Sequence, residues 1–377
     1  MTRKTAVFAR LGSRPIPRVT RMMGVARDLG VECIYVGAPR EMDCAVAETW
    51  DGFDVVRVGS YVPLVNGTRL FTYLKGVLRF NRALLQELER RRPTFVHGSD
   101  FQVMPACLLH KLRHRTPVLY NIHDNLADRY RVPGAVRAVL NAMEGLAVRL
   151  SNQSLVPEEF RRQSLPRWCR SRTVVVRNSP EDTGQVPPSS PDGQVRVLYA
   201  GWLDKGRGLD GLLNLARRHK WVELRVAGEG DESIVQQVRE AGATYLGFLG
   251  HGDIMRESGA AHFVAAFYDP SRIINRAAAS NKLAEALSVG RPILINEEVM
   301  VSQSPALQGC LVKVPYTEIS EIGTRLSDLT TADGGERYVR MCHNARAAYE
   351  AEYSWQSVRQ QMISVYVHVG LVGAKHG

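Results

Sequence analysis

Short apolar runs rich in β-branched residues alternate with amphipathic stretches along nearly the whole chain. Strand, helix, strand in repetition leaves few folds open. Parallel strands need a crossover, helices supply it, and the sheet is then covered on both faces. Residues 5–9, 32–36, 54–58, 95–97, 118–122, 153–156 and 173–177 read as strands, with helices over 18–29, 73–91, 103–112 and 136–150. Residues 181–193, EDTGQVPPSSPDG, break the pattern with proline, serine and glycine and read as an interdomain linker. A second alternation follows, with strands over 195–200, 222–227, 244–246, 263–267 and 293–295, and helices over 209–219, 233–241, 254–261, 319–330 and 335–351. The expectation is two α/β domains in tandem, 1–180 and 194–355, with ligand at a cleft between them. In such sheets ligands sit beyond the carboxyl ends of the strands, which singles out residues 10–14, 98–100 and 123–125.

Charge separates the halves. Residues 1–180 hold 29 Lys and Arg against 15 Asp and Glu, and the remainder holds 20 against 23. A basic first half beside a near-neutral second points to an anionic partner. Neither an aromatic-interleaved basic strand nor a helix-turn-helix pattern is visible, so nucleic acid is not expected; an anionic membrane surface or a lipid-linked phosphate acceptor fits better. The six cysteines show no CxxC spacing, which argues for reduced thiols and against a metal centre. With no run long enough to span a bilayer and no signal-peptide core, the expected location is the cytoplasm, peripheral on the inner face of the membrane.

Residues 280–296, SNKLAEALSVGRPILIN, carry the clearest chemistry. Ser280 and Asn281 are N-cap types, Leu283, Ala286 and Leu287 fall at helical spacing, Gly290 suits the C′ position, and Pro292 stops the helix before a short strand. A helix opening beside Lys282 suits a phosphate or diphosphate. Glu285, one helical turn after Asn281, is placed to accept hydrogen bonds from a ribose diol. Gly206, Gly208 and Gly211 match GxGxxG, which would make the chain an NAD-dependent oxidoreductase. The preceding strand, however, ends near Gly201, too early for that fingerprint. Lys205 and Arg207 in the same loop read better as cations for a diphosphate.

Together these stretches resemble a GT-B glycosyltransferase of the large retaining group called family 4. The resemblance rests on Pro17-Arg-Val19 with Arg21, Phe95-Val-His-Gly-Ser-Asp100, Leu119-Tyr-Asn-Ile-His-Asp124, Tyr199-Ala-Gly-Trp-Leu with Lys205-Gly206, Val226-Ala-Gly-Glu-Gly, Tyr245-Leu-Gly247, the 280–296 segment and Tyr353-Ser-Trp355. It implies two Rossmann-like domains facing across a cleft, with a last helix, 356–377, crossing back to the first. It also implies sugar transfer from a UDP- or GDP-type donor, without metal or cofactor, to a glycan or lipid-linked acceptor in surface polysaccharide synthesis.

The donor side would then comprise Gly12, Gly201, Lys205, Arg207, Phe248, Leu249, Ser280, Asn281, Lys282, Leu283 and Glu285. Asp100, His123 and Asp124 would form the catalytic floor, and Arg18 and Arg21 would meet the acceptor. Two departures stand out: Ala277 replaces the first acid of the family's E-x7-E motif, leaving Asn275 or Arg276 to substitute, and Trp202 replaces its loop arginine. A nucleotide-sugar epimerase of the same fold is the alternative activity.

Overall fold

A computed structural model describes residues 4–373 apart from 42–43, 63–69, 131, 188–189 and 192. The chain forms two compact units, one made of residues 1–177 with 356–377 and the other of Asn178–Trp355.

The first unit is an eight-stranded sheet ordered β3-β4-β2-β1-β5-β6-β7-β8. Its strands are β1 (Thr5–Arg10), β2 (Glu32–Gly37), β3 (Ala47–Trp50), β4 (Phe53–Arg57), β5 (Phe95–Ser99), β6 (Val118–Asn121), β7 (Gln153–Val156) and β8 (Thr173–Val175). Every pairing is parallel except β3 on β4. β5, β6 and β7 are buried at every residue, which is why they read as apolar runs without alternation. The strand order reverses at β1, which pairs Thr5 with Glu32 on one side and Ala6 with Phe95 on the other. The ends of β1 and β5 are therefore the topological switch point.

β3 was not expected. Asp51 (φ 50°) and Gly52 (φ 74°) make a two-residue turn with both φ positive, returning Trp50 opposite Phe53. Asp-Gly is the residue pair that such a turn favours. Helices Leu70–Arg91, Met104–His114 and Gly134–Leu150 pack on the sheet through Phe80, Leu84, Leu88, Cys107 and Val148, all fully buried. Helix Trp355–His368 joins this unit through Tyr366, whose hydroxyl donates to Met22 O at 3.0 Å and whose ring meets Phe95 edge-on.

The second unit is a six-stranded, all-parallel sheet ordered β11-β10-β9-β12-β13-β14. The strands are β9 (Val195–Ala200), β10 (Val222–Ala227), β11 (Thr244–Gly247), β12 (Phe263–Ala266), β13 (Ile293–Asn296) and β14 (Leu311–Val314). Val197, Tyr199, Leu212, Val226, Phe263 and Tyr338 fill its core. β14 is a further strand the sequence did not announce.

The segment read as a linker belongs to this unit from Asn178 onward. Arg291 donates to Val186 O (3.0 Å) and Pro187 O (3.2 Å), and Arg346 forks onto Asp182 at 2.8 and 2.7 Å. Arg291 thus satisfies backbone carbonyls of a segment that has no periodicity of its own, and Arg346 holds the same segment through the Asp182 carboxylate. The helix expected over 319–330 is broken into 3-10 turns Tyr316–Glu321 and Asp328–Thr330 around a short helix, Ile322–Ser327. Among the described residues, no helix is long and apolar enough to cross a membrane.

Candidate active site

In the second unit, β9, β10 and β11 run out at Gly201, Gly228 and Gly247, with φ of 144°, 142° and 71°. Gly201 N–H donates to Ala227 O (2.9 Å) and Gly228 N–H to Gly247 O (2.8 Å). A Cβ on Gly228 would lie 1.8 Å from Gly201 O, so this edge is a floor of bare backbone that no side chain can share.

Helix Asn281–Ser288 opens beside it, and a Cβ on Gly201 would lie 3.0 Å from Lys282 Cε. Ser280 occupies the N-cap but does not cap. Its hydroxyl accepts from Tyr268 Oη at 2.6 Å, leaving the first-turn amides without a side-chain partner. Lys282 Nζ stands 4.4 Å from the Tyr199 ring centre and 5.9 Å from that of Tyr268, while Arg207 Cζ lies 4.9 Å from the Tyr268 ring centre. Burial and the nearby Arg207 push the Lys282 ammonium down to about 7, against a smaller opposing pull from Glu285. Glu285 is itself largely covered, with His251 Nδ1 3.5 Å from its Oε1. Two cations, an open helix terminus and a glycine floor form an anion site, with a carboxylate within one turn.

In the first unit, the strand ends carry an ion network. Asp100 follows β5 with φ 67°, a strained value for a residue with a Cβ. Its Oδ1 accepts from His123 N–H (3.2 Å) and pairs with Arg129 (2.7 Å), and its Oδ2 lies 3.6 Å from Arg10. Burial alone would raise the Asp100 carboxyl, but Arg129, His123 and Arg10 outweigh it and hold it well below the carboxylate range. Asp124 pairs with Arg161 (2.8 Å) and more loosely with Arg129 (3.7 Å). Burial pushes His123 down to about 3 despite Asp100, so its imidazole is neutral at physiological pH. Beneath the network, Glu144 accepts from Tyr120 Oη and Leu126 N–H, and burial raises its carboxyl to about 7.

Comparison with known proteins bears on the fold and on the first unit. Residues 16–181 match the family model of the glycosyl transferase 4-like domain. No curated protein matches the sequence. Among solved structures, sucrose-phosphate synthase from Thermosynechococcus elongatus superposes with a TM-score of 0.75 at 14% identity, covering 97% of this chain and 98% of that one. Anabaena HepE in complex with UDP-glucose gives 0.65 at 14% identity over 96% and 98%. The S. aureus MnaA–UDP co-structure gives 0.62 at 12% identity over 99% and 98%. The chain has the GT-B fold, and its residues 16–181 are similar to a glycosyl transferase 4-like domain.

Within this GT-B fold, the expected donor residues of the second unit gather, with qualifications. Gly201 follows β9, Arg207 closes the 3-10 turn Lys205–Arg207, and Ser280, Asn281, Lys282 and Glu285 belong to the start of one helix. Asn281 Oδ1 is buried without a hydrogen-bond partner among the described residues. Leu283 is 2% exposed, so only its amide can face a ligand; its side chain is core. Leu249 packs on Leu198, Ala200 and Ala227, whereas Phe248 beyond Gly247 is 73% exposed. Lys205 opens the turn Lys205–Arg207, and its side chain lies outside the described residues.

The GxGxxG match has a packing explanation. A Cβ on Gly208 would lie 2.5 Å from Phe267 Cβ, and one on Gly211 would lie 2.7 Å from Ile319 Cβ. Asn275 is buried and donates to Asp269 O, and Arg276 donates to Pro270 O, so each is committed locally.

In the first unit, Gly12 is held in a tight turn, its N–H on Arg10 O (2.9 Å) and its carbonyl accepting from Tyr35 Oη (3.0 Å). Arg18 is corrected outright. It is 4% exposed and donates to Asn121 Oδ1 (3.2 Å) and Val176 O (2.7 Å), so it braces strand ends and cannot be a surface contact. Arg21 on the same helix is half-buried. Asp100, His123 and Asp124 do converge, but Asp100 is locked under two arginines. Arg129 and Arg161, and the tyrosines Tyr199 and Tyr268, were missed, and Arg10 was in view only within residues 10–14. The arginines come from a strand end, the 3-10 turn Leu126–Arg129 and the helix Glu159–Ser164 and share no motif, and Tyr199 was in view only as part of YAGW.

Proposed function

We propose that this glycosyltransferase moves a sugar from a UDP- or GDP-type nucleoside diphosphate sugar to a glycan or lipid-linked acceptor, in surface polysaccharide synthesis at the inner face of the membrane. The observation carrying the donor class is the uncapped start of helix Asn281–Ser288, flanked by Lys282 and Arg207 above a glycine floor. HepE and MnaA, which share the fold, are described with UDP-glucose and UDP.

Transfer builds negative charge on the leaving β-phosphate, and donors aimed there lower the barrier. Lys282, Arg207, Lys205 and the amides of 281–283 take that role, without metal or cofactor. Glu285 holds the ribose hydroxyls and Phe248 flanks the base. The reaction retains configuration, with the leaving phosphate taking the acceptor proton. Asp100, buried and held ionised by arginine, is a poor base and serves as a positioning residue for His123 and Arg129. If the reaction inverts instead, Asp124, with a third of its side chain exposed, is the better base. Arg21 is the remaining acceptor cation from the first helix.

Thermal stabilisation by UDP, GDP, ADP and NAD tests the donor class. Ligand at 100 times its Kd adds about 2.7 kcal/mol to the folded state. One nucleoside diphosphate should stabilise the wild type and lose that effect in Glu285→Ala. Stabilisation by NAD alone would overturn the reading, and turnover of donor without any acceptor would replace transfer by epimerisation.

A further inference from the structure

The outer face of helix Gly134–Leu150 is an uninterrupted apolar stripe. Val136, Val139, Met143, Leu146 and Leu150 follow one another at alternating spacings of three and four residues, each between 42% and 59% exposed. That spacing keeps them on one side of a helix. Trp168, 53% exposed, lies against the same helix, since a Cβ on Gly145 would meet its ring at 2.6 Å. Core packing explains none of these, because the buried side of the helix is already supplied by Ala147 and Val148.

Charge identifies what covers the stripe. The only acid on this helix, Glu144, points inward to Tyr120 and Leu126. Arg149 and, beside Trp168, Arg167 are exposed. Helix Met104–His114 packs between this helix and Leu70–Arg91, with Lys111 Nζ on Leu150 O at 2.6 Å. On Leu70–Arg91, exposed Phe71, Leu74 and Leu78 are interleaved with exposed Lys75, Arg79 and Arg82. The acids of that helix, Glu87 and Glu89, are ion-paired with Arg90, Arg91 and Arg113. Every acid on the three helices is therefore buried or paired, while apolar and cationic groups face outward.

We propose that this three-helix face docks on an anionic phospholipid surface, with the 134–150 stripe and Trp168 entering the headgroup boundary and the cations meeting lipid phosphates. Apolar residues beside Lys and Arg on a helix lying in the plane of the interface are the physical signature of such a contact, and tryptophan settles at that depth. The choice of a lipid surface rests on the membrane-linked acceptor proposed above; the surface itself rests on the exposure and charge just described.

Flotation of the full chain with vesicles of phosphatidylglycerol and phosphatidylcholine, and of phosphatidylcholine alone, tests it at low salt. Wild type floats with the anionic vesicles and much less with the neutral ones. Val139→Asp/Leu146→Asp, at positions already exposed, cuts anionic-vesicle binding by about tenfold or more. Met300→Asp, equally exposed but in the second unit, leaves it unchanged. Flotation of the double variant at wild-type level overturns the proposal. So does a wild type that ignores anionic vesicles, or a wild-type dimer that the double variant turns into a monomer. Vesicle binding needs no donor, so its failure with UDP stabilisation intact sinks the docking face alone. Loss of the UDP response with flotation intact sinks the transfer reading alone.

Discussion

UDP binding should draw a proton from solvent, and Lys282 should be where it goes. In the free protein the ammonium sits between the rings of Tyr199 and Tyr268, and burial together with Arg207 brings it down to about 7. At pH 8, about one molecule in ten is then charged at this site. A diphosphate oxygen about 4 Å away contributes about 4 kcal/mol at an effective dielectric of about 20, equivalent to about 3 pKa units. That returns Lys282 close to an ordinary lysine, so binding takes up about 0.9 proton at pH 8. The sign follows from the raised value in the complex. Affinity is at its fullest below the free value, and it falls about tenfold per pH unit above about 7 until the bound value is passed. Isothermal calorimetry in phosphate and in Tris, buffers of different ionisation enthalpy, reads the uptake directly. At pH 8 the terminal phosphate, whose second ionisation lies near about 6, no longer contributes. Lys282→Met should abolish the uptake and weaken binding, while Lys282→Arg should abolish the uptake with binding partly kept. Buffer-independent heat in the wild type, or uptake surviving in Lys282→Met, refutes the reasoning.

Two further outcomes follow from the strand ends. Gly228→Ala forces a Cβ to within 1.8 Å of Gly201 O at a φ of 142°, and should cost about 3 kcal/mol or more in urea unfolding with loss of UDP stabilisation; unchanged stability would mean the floor is not packed as described. Asp100→Asn should flatten the acid limb of the stability–pH curve. A carboxyl depressed in the folded state contributes stability above its unfolded value, about 3.9, and loses it as pH falls through the folded one. Melting temperatures from pH 2 to 7 that keep the wild-type slope would show that Asp100 is not held by Arg129 and Arg10.

The parallel core was legible because fully buried strands leave continuous apolar runs, as Val118–Asn121 and Ile293–Asn296 do. The helix at 281 was legible from Ser280, Gly290 and Pro292. What escaped lacked such a signal or was overruled by contacts far away in sequence. Arg18 was expected to meet the acceptor because hydropathy cannot foresee that Asn121 and Val176 O will satisfy a buried guanidinium. Residues 181–187 read as a tether because their order comes from Arg291 and Arg346, over a hundred residues on. Asp100 and Asp124 were found as strand-end acids, but their arginine partners sit on a strand end, a 3-10 turn and a helix that only the fold brings together. The Asp51-Gly52 turn was the one feature missed despite a local cue.

Because Tyr366 and its helix complete the first unit, that unit cannot finish folding when its own strands leave the ribosome. Phe95, Met22 and Lys4 wait for partners encoded beyond Trp355, and the whole second unit, Asn178–Trp355, must be made in between. At about 5–20 residues per second that delay is about 10–40 s. The second unit, contiguous in the chain, is free to fold first, so the half with the proposed nucleotide site should mature ahead of the half that carries the chain's beginning.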